Sequence, residues 1–340
     1  MLGNRHSQNR SRNGWTTILV GVIVATLLLS GCGAPTPKVY RVGIMYGVDT
    51  HDSIANGFKA KMTELGYVEG KNITYDVQKS NNDRPKEQEI AKKFVADKVD
   101  LIFAFPTQQA LTAKAATQGT NIPVLFAFST VEGTGLVDSV RNPGANITGV
   151  RYPLPELTAQ RFELMYQIMP NMKRLWITTD PNYPTTKLAL EALRPAAAAK
   201  GVTLVEVADP KVEDIAADLE ARSALGDIGL DAMLIMPESN PQSPAGWAVI
   251  KKFAAEHKVP INGQTAIQAK EGALLAYVPD FTDMGKLVAS LADKILKGTP
   301  AGSLPVVTPN GFLTINYKAA QELGLTVPEG LLRQANEIIR

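Results

Sequence analysis

Leu101-Ile102-Phe103-Ala104-Phe105 and, a short step later, Pro123-Val124-Leu125-Phe126-Ala127-Phe128 are apolar throughout. A strand with one wet face alternates polar and apolar residues. Unbroken apolar runs of this length mark strands covered on both faces, as in a parallel sheet. Working outward, the same rhythm of strand and amphipathic helix continues on either side. Upstream lie a strand over 40–45, a helix over 53–65 ended by Gly66, a strand over 73–78 and a helix over 85–98. An alanine-rich helix over 108–117 separates the two quoted runs.

The rhythm then restarts, with strands predicted over 148–152, 174–178, 203–207, 232–236, 260–262, 273–278 and 312–315. Between them fall helices over 155–169, 184–200, 212–225, 244–257 and 281–297, with two more closing the chain. Two successive arrays of this kind predict an α/β fold of two doubly wound parallel-sheet lobes. Length agrees, since about 300 residues beyond the N-terminal segment is too many for one ordinary core. No internal sequence repeat is present; the two halves share only their rhythm.

The N-terminus has another character. Met1 to Trp15 is polar, with Arg5, Arg10 and Arg12 and no acid, and 16–29 is apolar. A basic stretch and an apolar run shorter than the ~20 residues of a membrane span make a signal peptide. Leu29-Ser30-Gly31-Cys32 follows, and Cys32 is the only cysteine. The pattern looks like a bacterial lipobox, with 1–31 cleaved and Cys32 lipidated. Residues 32–38, with Pro35 and Pro37, are then a spacer. Loss of 1–31 removes three arginines and no acid, so the formal charge falls from +2 to −1. A nearly neutral chain lacks the footprint of a nucleic-acid binder. A lone thiol also excludes a disulfide framework.

Several ordered stretches carry a family resemblance. They are Glu64-Leu65-Gly66-Tyr67-Val68-Glu69-Gly70-Lys71-Asn72, Val99-Asp100-Leu101-Ile102, Ile122-Pro123-Val124 and Gly135-Leu136-Val137. Pro143-Gly144-Ala145-Asn146-Ile147-Thr148-Gly149, Ile295-Leu296-Lys297-Gly298, Ala319 and Leu323-Gly324-Leu325 complete the set. In this order and spacing they resemble ABC-transporter substrate-binding lipoproteins of the tryptophan/tyrosine-binding type, over roughly residues 39–340. The resemblance implies a type I periplasmic-binding-protein fold, two lobes joined by a hinge crossed three times. It implies that 39–149 and about 279–304 form one lobe, and 150–278 with about 305–340 the other. Residues 148–152 and 279–280 would be hinge crossings.

Open parallel sheets bind ligands beyond the carboxyl ends of their strands, so the loops there supply the candidates. After the first strand, Tyr46 offers a flat amphipathic face and Asp49 could pair with a ligand ammonium, or Asp49 or Thr50 could simply cap the next helix. His51 is expected at the surface. Thr107 and Gln108 open a helix whose free N–H groups suit a carboxylate, with Thr107 equally able to cap it. Ser129 and Thr130 follow the next strand; family members often carry Asp-Pro where this chain has Thr130-Val131, which takes a carboxylate from the cleft wall. The second lobe offers Tyr152 and Asn182-Tyr183, whose tyrosines could cover a ring or an apolar side chain or else pack ordinarily. Glu238 could balance a positive ligand group or be a solvated acid. Asp280 stands at the proposed hinge and, with Asp283, at a helix start.

An enzyme reading needs a catalytic constellation, and the one in this sequence is thin. Gly133-Thr134-Gly135 lacks the third glycine of a dinucleotide fingerprint, and no phosphate loop, HExxH or nucleophile elbow occurs. His51 and His257 are not at metal-ligand spacing. No enzyme activity, cofactor or metal is expected. The expected function is an extracytoplasmic lipoprotein on the cell membrane, facing the periplasm or exterior. It would be a monomer that binds a small molecule, with an aromatic or apolar amino acid implied by the resemblance. Its partners would be an ABC permease and its ATPase. A ligand sensor for a signalling receptor and a surface α/β enzyme remain alternatives.

Overall fold

The computed structural model describes residues 38–340 apart from 182, 184, 209 and 210, together with Gly3. Apart from Gly3, the expected signal peptide over 1–31, the expected lipidation site Cys32, the expected spacer up to residue 37 and Asn182 lie outside the described residues.

The first sheet holds β1 (Tyr40–Tyr46), β2 (Ile73–Lys79), β3 (Leu101–Phe105), β4 (Val124–Ser129) and β5 (Ile147–Arg151). Its order is β2-β1-β3-β4-β5, and every neighbouring pair is parallel. All five residues of β3 are buried, and they divide between two cores. Leu101, Phe103 and Phe105 pack with Ile54, Phe58 and Met62 of helix α1 (Asp52–Glu64). Ile102 and Ala104 turn the other way, toward Phe94 of α2 (Arg84–Ala96) and Ala110 of α3 (Thr107–Ala116). An apolar residue is needed at each position because both faces are covered, which is why the run does not alternate.

The second sheet holds β6 (Arg174–Thr179), β7 (Thr203–Ala208), β8 (Ala232–Leu234), β9 (Ile261–Gly263), β10 (Leu275–Val278), β11 (Phe312–Asn316) and β12 (Glu337–Ile339). The order is β12-β11-β10-β9-β8-β6-β7. Helix α4 (Leu154–Ile168) leads from β5 into β6, and α5 (Thr186–Ala199), α6 (Val212–Ser223), α7 (Ser239–Gln242), α8 (Pro244–His257) and α9 (Ala266–Lys270) connect β6 through β10. The two lobes are doubly wound α/β units of the type I periplasmic-binding-protein kind. One departure from a wholly parallel second sheet stands out, for β11 runs antiparallel to β10 and β12 follows β11. Topology explains it. β10 ends where the chain leaves for the first lobe, and β11 begins where it returns, so the two must run oppositely.

Helix α10 (Phe281–Leu296) follows β10 yet packs in the first lobe, its Met284, Val288 and Leu291 sharing a core with Phe58 and Met62. The chain comes back through 304–312 to β11; α11 (Tyr317–Glu322) and α12 (Glu329–Gln334) then lead to β12. This last crossing lies beside the first. Arg151 N donates to Val307 O at 2.9 Å, and Val307 N donates to Gly149 O at 2.9 Å. Gly149 admits no side chain, because a Cβ there would sit 2.2 Å from Phe126 O.

Candidate ligand cleft

The carboxyl ends of both sheets face a common gap. A cavity of about 1240 Å³ opens there, lined by Ser53 and Phe281 from the first lobe and by Gln242, Trp247, Thr265 and Gln268 from the second. A cleft of this kind, mostly apolar with a few polar groups, suits a small molecule.

Among the residues singled out from the sequence, Asp280 lines this cavity. It also caps α10, accepting from Asp283 N at 2.8 Å, so the cap is Asp280 and Asp283 is the donor. Tyr46 presents no open face. It is 3% exposed, stacked on Phe105 at 5.0 Å, and its hydroxyl donates to Asp52 Oδ1 at 2.7 Å. Burial and that carboxylate push the phenol up to about 12. Asp49 is already paired, since Lys79 Nζ lies 2.8 Å from both Asp49 and Asp52.

Thr107 does not cap its own helix; Pro106 holds the cap position. The Thr107 hydroxyl instead accepts from Thr130 N at 3.0 Å, joining two candidate loops. Gln108 reaches Thr112 Oγ1 at 3.4 Å. Ser129 is buried, its hydroxyl donating to Ala127 O and its carbonyl accepting from Tyr152 N. Thr130 is also buried, and Tyr183 is half-buried with its N–H on Asp180 O.

Glu238 is neither a solvated acid nor an open counter-charge. It is 1% exposed and accepts from Thr178 Oγ1 at 2.9 Å, Asp180 N at 3.0 Å and Thr186 Oγ1 at 2.6 Å. The strand β6, the following loop and the start of α5 are thus gathered on one carboxylate.

The structure adds residues that local sequence did not mark. His51 is not a surface residue: the turn Asp49–His51 folds its ring toward the sheet. There it meets Phe128 at 5.4 Å, Phe281 at 6.3 Å and Phe105 at 6.4 Å. Phe128 in turn packs on Phe281 at 4.7 Å and edge-on to Tyr152 at 4.8 Å. An aromatic floor therefore runs from the first lobe to the hinge. Phe128 adopts φ 47°, a left-handed conformation that costs a bulky residue about 1–3 kcal/mol and persists only where packing over-determines it.

Burial drives the His51 pKa down, against a smaller upward pull from Asp52. The folded state then binds this proton less readily than the unfolded chain. Stability is intact above the ordinary histidine value of 6.5 and falls as pH drops through it. Thermal melts from pH 7.5 to 5 are expected to show this loss, and His51→Gln is expected to remove the His51 component. Parallel curves for the two proteins would refute the assignment.

Two parallel-sheet lobes, a hinge crossed three times and a cleft between strand ends define a bilobal solute-binding protein. The comparisons make this specific. The family model of ABC transporter substrate binding proteins matches residues 41–339. The chain belongs to that family. A tyrosine-binding protein of Clostridioides difficile (strain R20291) is 28% identical over 310 residues, 86% of each chain. An ABC domain in complex with L-Trp from Streptococcus pneumonia superposes with a TM-score of 0.73 at 27% identity, covering 89% of this chain and 100% of that one. The ligand-free, open structure of a substrate binding protein with adhesive properties from Clostridium difficile gives 0.75 at 25% identity, covering 89% and 99%. The chain is therefore a solute binder and not an enzyme, working outside the cytoplasm with a small-molecule ligand and an ABC transporter as its partners. Among the described residues no helix is long and apolar enough to cross a membrane.

Proposed function

We propose that this protein is the lipid-tethered, monomeric receptor of an ABC importer and carries an aromatic or apolar amino acid. The observation that carries this reading is the cavity lined from both lobes beside the aromatic floor of His51, Phe128 and Phe281. Aromatic faces favour a ring or a branched apolar side chain, and the relative named a tyrosine-binding protein and the relative in complex with L-Trp support that class. In this account 39–149 with about 279–304 and 150–278 with about 305–340 move as two bodies. Ligand contacts from both exist only when they close, so binding shifts the population toward the closed form. Thr107, Gln108, Ser129, Thr130, Tyr152, Tyr183 and Asp280 remain the proposed contact loops. Tyr46, Asp49 and Glu238 act behind them, by holding the loops in place.

A thermal-shift and calorimetric screen of L-tryptophan, L-tyrosine, L-phenylalanine and L-leucine tests the ligand class. Binding at 100 times Kd stabilises the folded state by about 2.7 kcal/mol, a readily measured rise in Tm. Silence toward all four, with a response to a sugar or nucleoside, would refute the amino-acid class. Cys32→Ser tests the tether: loss of lipid labelling with accumulation of precursor is expected, and unchanged labelling would contradict it.

A further inference from the structure

Arg161, on α4, is 2% exposed, yet every oxygen it meets is neutral. Its guanidinium donates to Ile235 O at 2.7 Å, to Asn262 O and Gly263 O at 3.2 Å, to Asn262 Oδ1 at 3.3 Å and to Gln264 Oε1. Burial lowers its pKa to about 10, which leaves it charged at neutral pH. A buried cation with no counter-ion is costly, so what it does for the protein needs an account.

The direction of the hydrogen bonds supplies one. Arginine has donors only, so the Gln264 amide must turn its oxygen toward Arg161. Its nitrogen then donates to the Tyr152 hydroxyl at 3.1 Å. Tyr152 O thus acts as acceptor, and its own O–H proton has no acceptor among the described residues. Each bond in such a chain polarises the next. The chain runs from a buried positive charge, through the residue that precedes the cleft-lining Thr265, to a tyrosine at the first hinge crossing. Tyr152 also touches Phe128 of the aromatic floor.

We propose that Arg161 and Gln264 are positioning residues for ligand specificity, aiming the Tyr152 hydroxyl as a donor at an anionic oxygen of the ligand, a carboxylate. This rests on the amino-acid reading above and deepens it.

The test uses L-tryptophan, L-tyrosine and L-leucine, each beside its primary amide, in calorimetry on three proteins. The wild type is expected to bind acids at least tenfold more tightly than amides. Tyr152→Phe removes the donor. Gln264→Glu keeps the shape and pairs Arg161 with a carboxylate, but it takes the Tyr152 proton for itself. Each variant is expected to weaken acid binding about tenfold while leaving amide binding within twofold and Tm close to the wild type. Acids that bind with an acid-to-amide ratio unchanged in both variants would overturn the proposal and spare the amino-acid reading. A panel in which no carboxylate-bearing compound binds the wild type would overturn both.

Discussion

Glu238→Ala is expected to lower the stability of the second lobe by about 3–5 kcal/mol, the scale for leaving buried charge-bonded partners unpaired. The carboxylate satisfies two buried hydroxyls and one backbone N–H, those of Thr178, Thr186 and Asp180. The two hydroxyls are left without a partner once the acid is gone, because Thr178 and Thr186 are themselves buried. Glu238→Gln keeps the shape but replaces one acceptor by a donor facing donors, so it should fall between wild type and Ala. Melting curves would show a drop of roughly 10 °C for Ala, given about 2–4 °C per kcal/mol in a domain of this size. Tyr183, in the loop that this carboxylate gathers, is one of the proposed contact residues, so ligand affinity is expected to fall along with stability. A variant as stable as the wild type would mean that the three donors find other partners.

Gly285→Val is the second large effect, expected to cost about 3 kcal/mol or more through overpacking. Helices α1 and α10 cross at Gly57 and Gly285. A Cβ on Gly285 would lie 2.1 Å from Ile54 O and 2.6 Å from Phe58 N, and one on Gly57 would lie 2.1 Å from Thr282 O. These neighbours are backbone, which cannot step aside as a side-chain tip can. The roughly 1 kcal/mol of helix propensity gained by replacing glycine does not offset such a contact. The consequence reaches past stability, because α10 is held to the first lobe at this crossing and its N-terminal Phe281 belongs to the aromatic floor. Circular dichroism melts would measure the loss; a stabilised Gly285→Ala would show that the crossing has room to give.

Local pattern carries most of this architecture. The run Leu101–Phe105 was legible to its last residue, since both faces demand apolar side chains and Asp100 and Pro106 bound it. The helix Pro244–His257 was equally plain, with proline at its start. β12 escaped because Glu337–Ile339 is short and only half-buried, carrying neither an apolar run nor alternation. The reversed direction of β11 has no local signature at all. It follows from where the chain re-enters the lobe.

Site residues were harder for a related reason. Loops at strand ends can be located from the sequence, and Asp280, which lines the cavity, was reached that way. Whether a loop side chain faces the cleft or turns inward depends on residues far along the chain. Tyr46 was claimed by Asp52 and by Phe105, and Glu238 by three donors from the neighbouring strand end and helix. His51, Phe128 and Phe281 become one cluster only after two strands and a hinge crossing are folded. Arg161 sits mid-helix among apolar residues, where a charged residue on a buried face was the one available hint.

Hinge closure around a ligand is the claim on which the account stands, and a distance between the lobes tests it most directly. Lys86 and Glu213 are exposed and lie in the first turns of α2 and α6, which follow the edge strands β2 and β7, farthest in each sheet from the crossings. With Cys32 replaced by serine, spin labels at Lys86→Cys and Glu213→Cys report one distance. Saturating L-tryptophan or L-tyrosine should shorten and narrow that distribution. Calorimetrically confirmed binding that leaves it unchanged would contradict the account.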